Sequence, residues 1–559
     1  MRTSLGALQA GMAALRSRAC RIALVSALIS MLWVASARPQ SSSTIPHLKK
    51  QGTATQLIVH NKPFLMLGGE LGNSSSSDVK YMSPVWPKLR AMHLNTVLMP
   101  IYWELIEPRE GKFDFALVDN LIASARKNDL KIVVLWFGSW KNSMSCYAPL
   151  WVKADQKRFP RSRTQDGRAL EILTPFSDEN RNADAKAFTA FMKHLRAIDE
   201  KQNTVVMVQV ENEIGMIPQA RDYCTEAEEA FARSVPAELG TYLQMNSDSL
   251  SDELHQAWTS TGMKAEGTWE HIFGAGLRTD EIFMAWYFAR YTDFVAQAGK
   301  KEYPLPMYVN AALIRSNYEP GQYPSAGPLP HLMDVWRAGA THIDFLAPDI
   351  YFNNFADWLG KYDRAGNAMF IPEVDRHQSV TNAFYAFARH NAMGYNPFSI
   401  ESVDDPSKSQ FNKSYDVLRQ LTPLILEHQG TGSMAGFLLD SAAQTAEIRL
   451  GNYIFTVKHE YTWPYAARTP GDTPRFGGMV IMTGKDEYYV AGSGVVVTFQ
   501  SSSGNGAIAG IASIDEGVFV TGKWVAGRRM NGDQDHQGRH LHLPGGEYGI
   551  QKVKLYTYR

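Results

Sequence analysis

Between residue 55 and about residue 400, short apolar runs alternate with longer stretches of helical period. Eight runs stand out: Phe64–Gly68, Thr96–Ile101, Ile132–Phe137, Val205–Val210, Met307–Val309, Phe345–Ile350, Met369–Ile371 and Gly394–Ile400. Their apolar character is continuous rather than alternating, which suits strands covered on both faces. Between them, Phe115, Val118, Ile122 and Ala125 share one helical face, as do Phe188, Phe191, Met192, Leu195 and Ile198. Further helices are expected around Val85–Met92, Glu281–Ala298, His331–Ala338, Asn354–Lys361, Asn382–Asn391 and Phe411–Leu426. Eight βα repeats predict an α/β chain closed into a (β/α)₈ TIM barrel, although an open doubly wound sheet shares the alternation.

After about residue 430 the period changes to two. Tyr453, Phe455 and Val457 take one face against Thr456 and Lys458, and Val553 and Leu555 alternate with Lys552 and Lys554. Gly504-Asn505-Gly506 and Gly545-Gly546 mark turns, so a C-terminal all-β sandwich domain is expected. Residues 55–63 read as a strand and a turn that close the barrel bottom. The stretch 215–280 is too long for a bare loop; it should carry helices such as Thr225–Arg233 and fold over the barrel mouth.

The N-terminal residues 1–37 read as an export signal. Arg16, Arg18 and Arg21 precede the thirteen-residue apolar run Ile22–Val34, and Ala35-Ser36-Ala37 is a cleavage site. A membrane anchor needs about 20 apolar residues. The positive stretch is long, which makes Met12 a second candidate start. The expected organisation is a signal at 1–37, a catalytic barrel at 38–428 and a β-domain at 429–559, in an exported, periplasmic or secreted protein with no membrane attachment after cleavage. Cys146 and Cys224 then remain in an oxidising compartment. Either they are free thiols, or they form a bridge, which their places after strands three and four favour.

Lys plus Arg and Asp plus Glu both number 56. A balanced charge argues against attraction of the whole chain to nucleic acid or to an anionic membrane. Hydrophobic residues at 45 % exclude disorder and allow a large core. Aromatic residues at 11 % suit sugar stacking as well as packing.

Chemistry in such a barrel sits at the C-terminal ends of the strands. Strand four ends Gln209-Val210-Glu211-Asn212-Glu213-Ile214-Gly215, and strand seven ends Phe370-Ile371-Pro372-Glu373-Val374. On an ideal strand Glu211 and Glu213 share a face; a bend would turn both Asn212 and Glu213 to the pocket and leave Glu211 behind them. Single carboxylates at a rim are commonly solvated, but two aimed at one mouth carry a burial cost that natural sequences tolerate mainly at functional sites. Such a pair suits glycoside hydrolysis, with retention when the carboxyls stand roughly 5–5.5 Å apart and inversion at roughly 6.5–9.5 Å.

These motifs, with Gly68-Gly69-Glu70 at strand one, Pro100-Ile101-Tyr102-Trp103-Glu104 and Gly111-Lys112-Phe113-Asp114-Phe115 after strand two, resemble glycoside hydrolase family 35 β-galactosidases over residues 55 to 400. The resemblance implies a clan of retaining (β/α)₈ glycosidases that need no cofactor or metal, with Glu213 as acid/base and Glu373 as nucleophile. It implies Asn212 on the sugar 2-hydroxyl, Tyr351 on the nucleophile and Tyr102 near galactose, with Glu70 and Asn310 as further mouth candidates. Where many members carry an acidic Ala-Glu-Trp type sequence after strand three, this chain reads Trp136-Phe137-Gly138-Ser139-Trp140-Lys141-Asn142. The β-domain resembles that of a bacterial subgroup, some of which trim galactose from xyloglucan; Trp136, Trp140, Trp151 and Trp286 are candidates to stack on the aglycone. The expected function is exo-acting removal of terminal β-galactose from oligosaccharides by double displacement, in a chain that is a candidate homodimer. The alternatives are another clan β-glycosidase or endo-β-glycanase, a non-catalytic carbohydrate-binding barrel, and a metal-dependent hydrolase, for which no HExxH is present.

Overall fold

The eight apolar runs become eight parallel strands. They are β1 (Met66–Leu67), β2 (Thr96–Tyr102), β3 (Lys131–Lys141), β4 (Val205–Asn212), β5 (Met307–Ala312), β6 (Phe345–Ile350), β7 (Ile371–Val374) and β8 (Gly394–Pro397). They are hydrogen-bonded in the order β1-β8-β7-β6-β5-β4-β3-β2. Glu70, just past β1, bridges in parallel to both Leu98 of β2 and Phe398 after β8, which closes the sheet into a barrel. This computed structural model describes residues 45–559 apart from 378–379, 441–442, 461–474, 505 and 533–537. The signal expected at 1–37 lies outside the described residues.

The strands are apolar on both faces because both are buried. Leu98, Val133, Leu135, Phe137, Tyr308, Phe345 and Phe370 fill the interior, where Tyr308 stacks on Phe345 with ring centroids 5.2 Å apart. Leu57 and Val59 of an N-terminal antiparallel sheet (His47–Gln51, Ala54–Val59, Lys62–Phe64) belong to the same cluster and plug the barrel bottom. His60 and Asn61, both at positive φ, make its tight turn. Outside the barrel, helices such as Ala116–Lys127, Asp178–Asp199, Leu277–Glu302 and Gln410–His428 bury their apolar stripes in a second, larger cluster.

Only β6 keeps the bounds of its apolar run, and three of the differences bear on the site. β3 continues four residues past Phe137 and β4 two past Val210, while β7 starts at Ile371 rather than Met369 and takes in Glu373. Strand pairing runs on where hydrophobicity stops, because the tops of these strands are buried but polar.

The 215–280 insert carries helices Thr225–Ala232, Ala237–Met245, Asp252–Thr259 and Trp269–Phe273. It packs on the neighbouring outer helices. Phe231 and Trp269 meet Phe283 edge-on at 5.1 and 5.2 Å, and Asp334 accepts from the Ser251 backbone at 2.8 Å and from the Tyr242 hydroxyl at 3.3 Å.

The C-terminal strands form two antiparallel sheets of six and four strands among the described residues. Phe437, Phe455, Val457, Val490, Val497 and Val553 fill the space between them. On the opposite face of the larger sheet, Met479, Ile481, Tyr489, Ala491 and Ile550 join the barrel's outer cluster. Strand Met434–Leu439 comes so near helix Thr381–Arg389 that a β-carbon on Gly436 would lie 2.9 Å from the Tyr385 carbonyl oxygen. Among the described residues no helix is long and apolar enough to cross a membrane.

Candidate active site

At the top of β4 the chain leaves ideal strand geometry. Glu211 (φ 62°) and Glu213 (φ 43°) both occupy the left-handed region, which is costly for residues with a β-carbon. The resulting bend separates their carboxyls. Glu211 is held back against β3, accepting from the Trp140 backbone N–H at 2.7 Å. Glu213 enters the mouth, its backbone N–H donating to Oδ1 of Asn310 at 3.0 Å.

There it meets β6 and β7. One oxygen each from Glu213, Asp349 and Glu373 lie within 4.8 Å of one another, and all three residues are buried. Asn310 donates to Asp349 at 2.6 Å and so joins β4, β5 and β6. The Tyr351 hydroxyl donates to Oε1 of Glu373. Glu70 reaches the cluster from β1 with both carboxyl oxygens buried and beside Glu373, and no donor group of another residue reaches them. Positive charge is supplied by Lys141 at the end of β3, its Nζ 3.9 Å from Glu213 Oε2 and 5.4 Å from the Phe137 ring centre.

One cation among four buried carboxyls leaves negative charge that burial penalises. Burial, then the Glu213 charge, pushes Glu373 up to about 7, opposed by Lys141 and by hydrogen bonds from Tyr351 and Glu70. Burial and the Glu373 charge hold Glu70 and Asp349 well above the ordinary carboxylate range. The shared hydrogen bond raises Glu70 and lowers Glu373, which matches Glu70 to the donor and Glu373 to the acceptor. Asn212 lies fully buried beside this cluster in sequence, with neither amide atom bonded. Its unmet donor and acceptor are matched to a ligand hydroxyl.

Comparison with known proteins bears on the same stretch. Residues 81–273 match the family model Glyco_hydro_42, described as Beta-galactosidase. This is glycoside hydrolase family 42, whereas the motifs resemble family 35. Residues 411–542 match a model described as a domain of unknown function (DUF5597). A beta-galactosidase of Xanthomonas manihotis is 29 % identical over 199 residues, 34 % of this chain and 30 % of that one. The chain thus matches under a third of that relative's length. Among solved structures, a beta-galactosidase from Rahnella sp. R3 is 15 % identical with a TM-score of 0.42, covering 65 % of this chain and 57 % of that one. One from Halorubrum lacusprofundi is 16 % identical with a TM-score of 0.44, covering 64 % and 58 %.

Other residues singled out from sequence lie elsewhere. Tyr102 is buried, edge-on to Phe137 at 5.9 Å and beside Tyr147 at 5.2 Å. Its hydroxyl meets Ser76 Oγ at 3.0 Å while Ser76 donates to the Pro100 carbonyl, so Tyr102 is the donor to Ser76. Trp140 and Trp286 are core residues, not stacking platforms. The Trp140 indole N–H donates to the Leu173 carbonyl at 3.0 Å and its ring packs on Phe288 and Tyr291, while Trp286 is wedged against Gly339. Trp136 is also fully buried, and Trp151 packs edge-on to Trp103 and Phe159. Of the two alternatives for the cysteines, the structure has the free thiols: Cys146 and Cys224 are both unbridged. Cys224 is buried 3.5 Å from the Thr174 hydroxyl, while Cys146 is exposed on its loop, so adjacent loops did not bring the thiols together.

Sequence reasoning missed Lys141 and Asp349. Both stand at strand tops, β3 and β6, and the same positional rule that found Glu213 and Glu373 would have found them. It also missed Asp184, which sits inside a helix and carries no such signal.

Proposed function

We propose that the protein is a retaining, exo-acting β-galactosidase in which Glu213 is the acid/base and Glu373 the nucleophile. The observation that carries this is the approach of their oxygens to within 4.8 Å at the tops of β4 and β7. That spacing suits direct attack on the anomeric carbon; interposing a water calls for roughly 6.5 Å or more between the carboxyls.

Glu373 attacks C1 as Glu213 protonates the departing glycosidic oxygen, forming a galactosyl ester. Glu213 then removes a proton from water, which attacks the same carbon, and Glu373 leaves. Tyr351 and Glu70, hydrogen-bonded to Glu373, hold the carboxylate in line and stabilise its charge before attack and after release. Asn212 supplies the contact to the 2-hydroxyl, which strengthens in an oxocarbenium-like transition state. Lys141 limits the repulsion that would otherwise keep Glu373 protonated.

The β-galactosidase family match over 81–273 and the motif resemblance both support galactose as the sugar. Membership of family 35, terminal galactose of xyloglucan fragments as substrate, export to the periplasm or beyond, and a homodimer belong to the same proposal. A panel of aryl β-galactoside, β-glucoside, β-xyloside, β-mannoside and α-arabinoside, with the released anomer followed by NMR, tests it. Preferential cleavage of the β-galactoside with β-galactose released first is expected. Cleavage of none, or first release of the α anomer, overturns it.

A further inference from the structure

Behind the catalytic cluster lies a second pair of carboxyls with no role in the chemistry above. Glu211 and Asp184 are both fully buried. Among the described residues neither forms an ion pair with Lys, Arg or His. Asp184, on helix Asp178–Asp199, accepts from the Trp136 indole N–H at 3.0 Å and from the Ser139 backbone N–H at 3.2 Å. Glu211 accepts at Oε2 from the Trp140 backbone N–H, while its Oε1 has no donor.

The two carboxyls face one another across Gly138. A β-carbon there would lie 2.6 Å from Glu211 Oε1, 2.9 Å from Asp184 Oδ1 and 2.4 Å from the Trp136 indole nitrogen, so only glycine admits the approach. The other titratable group against the pair is Tyr291 of helix Leu277–Glu302, whose hydroxyl meets Ser139 Oγ at 2.7 Å and which burial keeps neutral. Arg181, one turn before Asp184, is engaged with Asp178 and the Phe294 ring.

Two buried anions in contact with no cation are not tolerable. Asp184 is matched to the anionic role by its two N–H donors; Glu211, with an orphaned oxygen, is matched to the acid. We propose that Glu211 is a permanently protonated carboxylic acid that donates to Asp184 and acts as a positioning residue, tying the bent end of β4 to β3 and the helix behind it. Burial and the Asp184 charge raise Glu211 well above the ordinary range, in keeping with that assignment. The tie holds Glu211 in its left-handed conformation and so fixes where Asn212 and Glu213 enter the mouth. That consequence rests on the catalytic reading above, whereas the proton itself does not.

The test follows from protonation linkage. A carboxyl whose native pKa is raised contributes stability that is fully present below its unfolded value, about 4.3 for Glu, and is lost as pH rises through the native value. Glutamine reproduces the neutral acid, its amide donating to Asp184, without that loss. Melting temperatures of the full-length wild type, Glu211→Gln and Asp184→Asn are measured from pH 5 to pH 8, where the other buried carboxyls cancel between variants. The Glu211→Gln minus wild-type difference should grow with pH, by at least about 2 °C over the range. Asp184→Asn, whose amide opposes the Trp136 and Ser139 donors, should melt below wild type throughout. On an aryl β-galactoside, Glu211→Gln should lose less than about tenfold in kcat and Glu211→Ala more than about a hundredfold. A pH-independent difference, failure of Glu211→Gln to fold, or Asp184→Asn proving the milder variant would overturn the proposal. The melting readout stands even if the protein cleaves no galactoside.

Discussion

The Lys141 ammonium stands 3.9 Å from Oε2 of Glu213, and both side chains are buried. It lowers the cost of charge on Glu70, Asp349 and Glu373 as well. Replacing it with methionine keeps the shape and removes the charge, which disfavours ionised carboxyls. The acidic limb of kcat/KM in Lys141→Met should therefore move up by about one pH unit. A limb that stays in place would show that Lys141 only packs.

In the wild type that limb should fall near pH 7, because protonated Glu373 is not a nucleophile and its carboxyl is pushed up to about 7. The same shift makes Glu373 a liability for folding. Its favourable contribution is present below about pH 4.3 and is lost as pH rises through about 7. Glu373→Gln should thus lower turnover at least about a thousandfold while raising stability at pH 8 by ~1–3 kcal/mol, with little gain at pH 5. Thermal melts at the two pH values check this; equal gains would mean the carboxylate is not destabilising.

Glu70 is expected to act as a donor rather than an anion. Glu70→Gln retains an N–H for Glu373, whereas Glu70→Ala removes the hydrogen bond and leaves a cavity. Turnover should fall about tenfold or more further in the alanine variant than in the glutamine variant. Equal losses would mean that Glu70 is needed as a charge.

The strand-end rule made Glu213 and Glu373 legible, since each follows an apolar run that aims it at the mouth. The barrel was legible for a related reason: strands buried on both faces leave continuous runs. The bend at Glu211 and Glu213 was visible only as an option, because left-handed backbone at a glutamate is imposed by neighbours such as Trp140 and Asn310, not by local preference. The tryptophans misled because composition does not say which way a ring points. Trp140 satisfies its indole N–H on the Leu173 carbonyl within the core, a contact made across 33 residues of sequence.

The thiols can be separated by access. Cys146 should react with iodoacetamide in the native protein and Cys224 only after unfolding, since one is exposed and the other buried. Mass spectrometry of the digested, unreduced protein checks this, and a linked peptide pair would contradict the structure.

Gly436 tests how the β-sheets meet the barrel. Its α-carbon passes so close to the Tyr385 carbonyl that Gly436→Ala must displace backbone. A loss of ~1–3 kcal/mol is expected in a urea melt, and no loss would mean that the contact yields easily.

Double displacement requires a covalent galactosyl ester on Glu373. A 2-deoxy-2-fluoro-β-galactoside with a reactive leaving group slows both steps by disfavouring the oxocarbenium-like transition state, so the intermediate accumulates. Mass spectrometry of the digested protein should find one added fluorogalactosyl group, on the peptide holding Glu373. Active enzyme that never acquires the group, or acquires it at Glu213, would contradict the account.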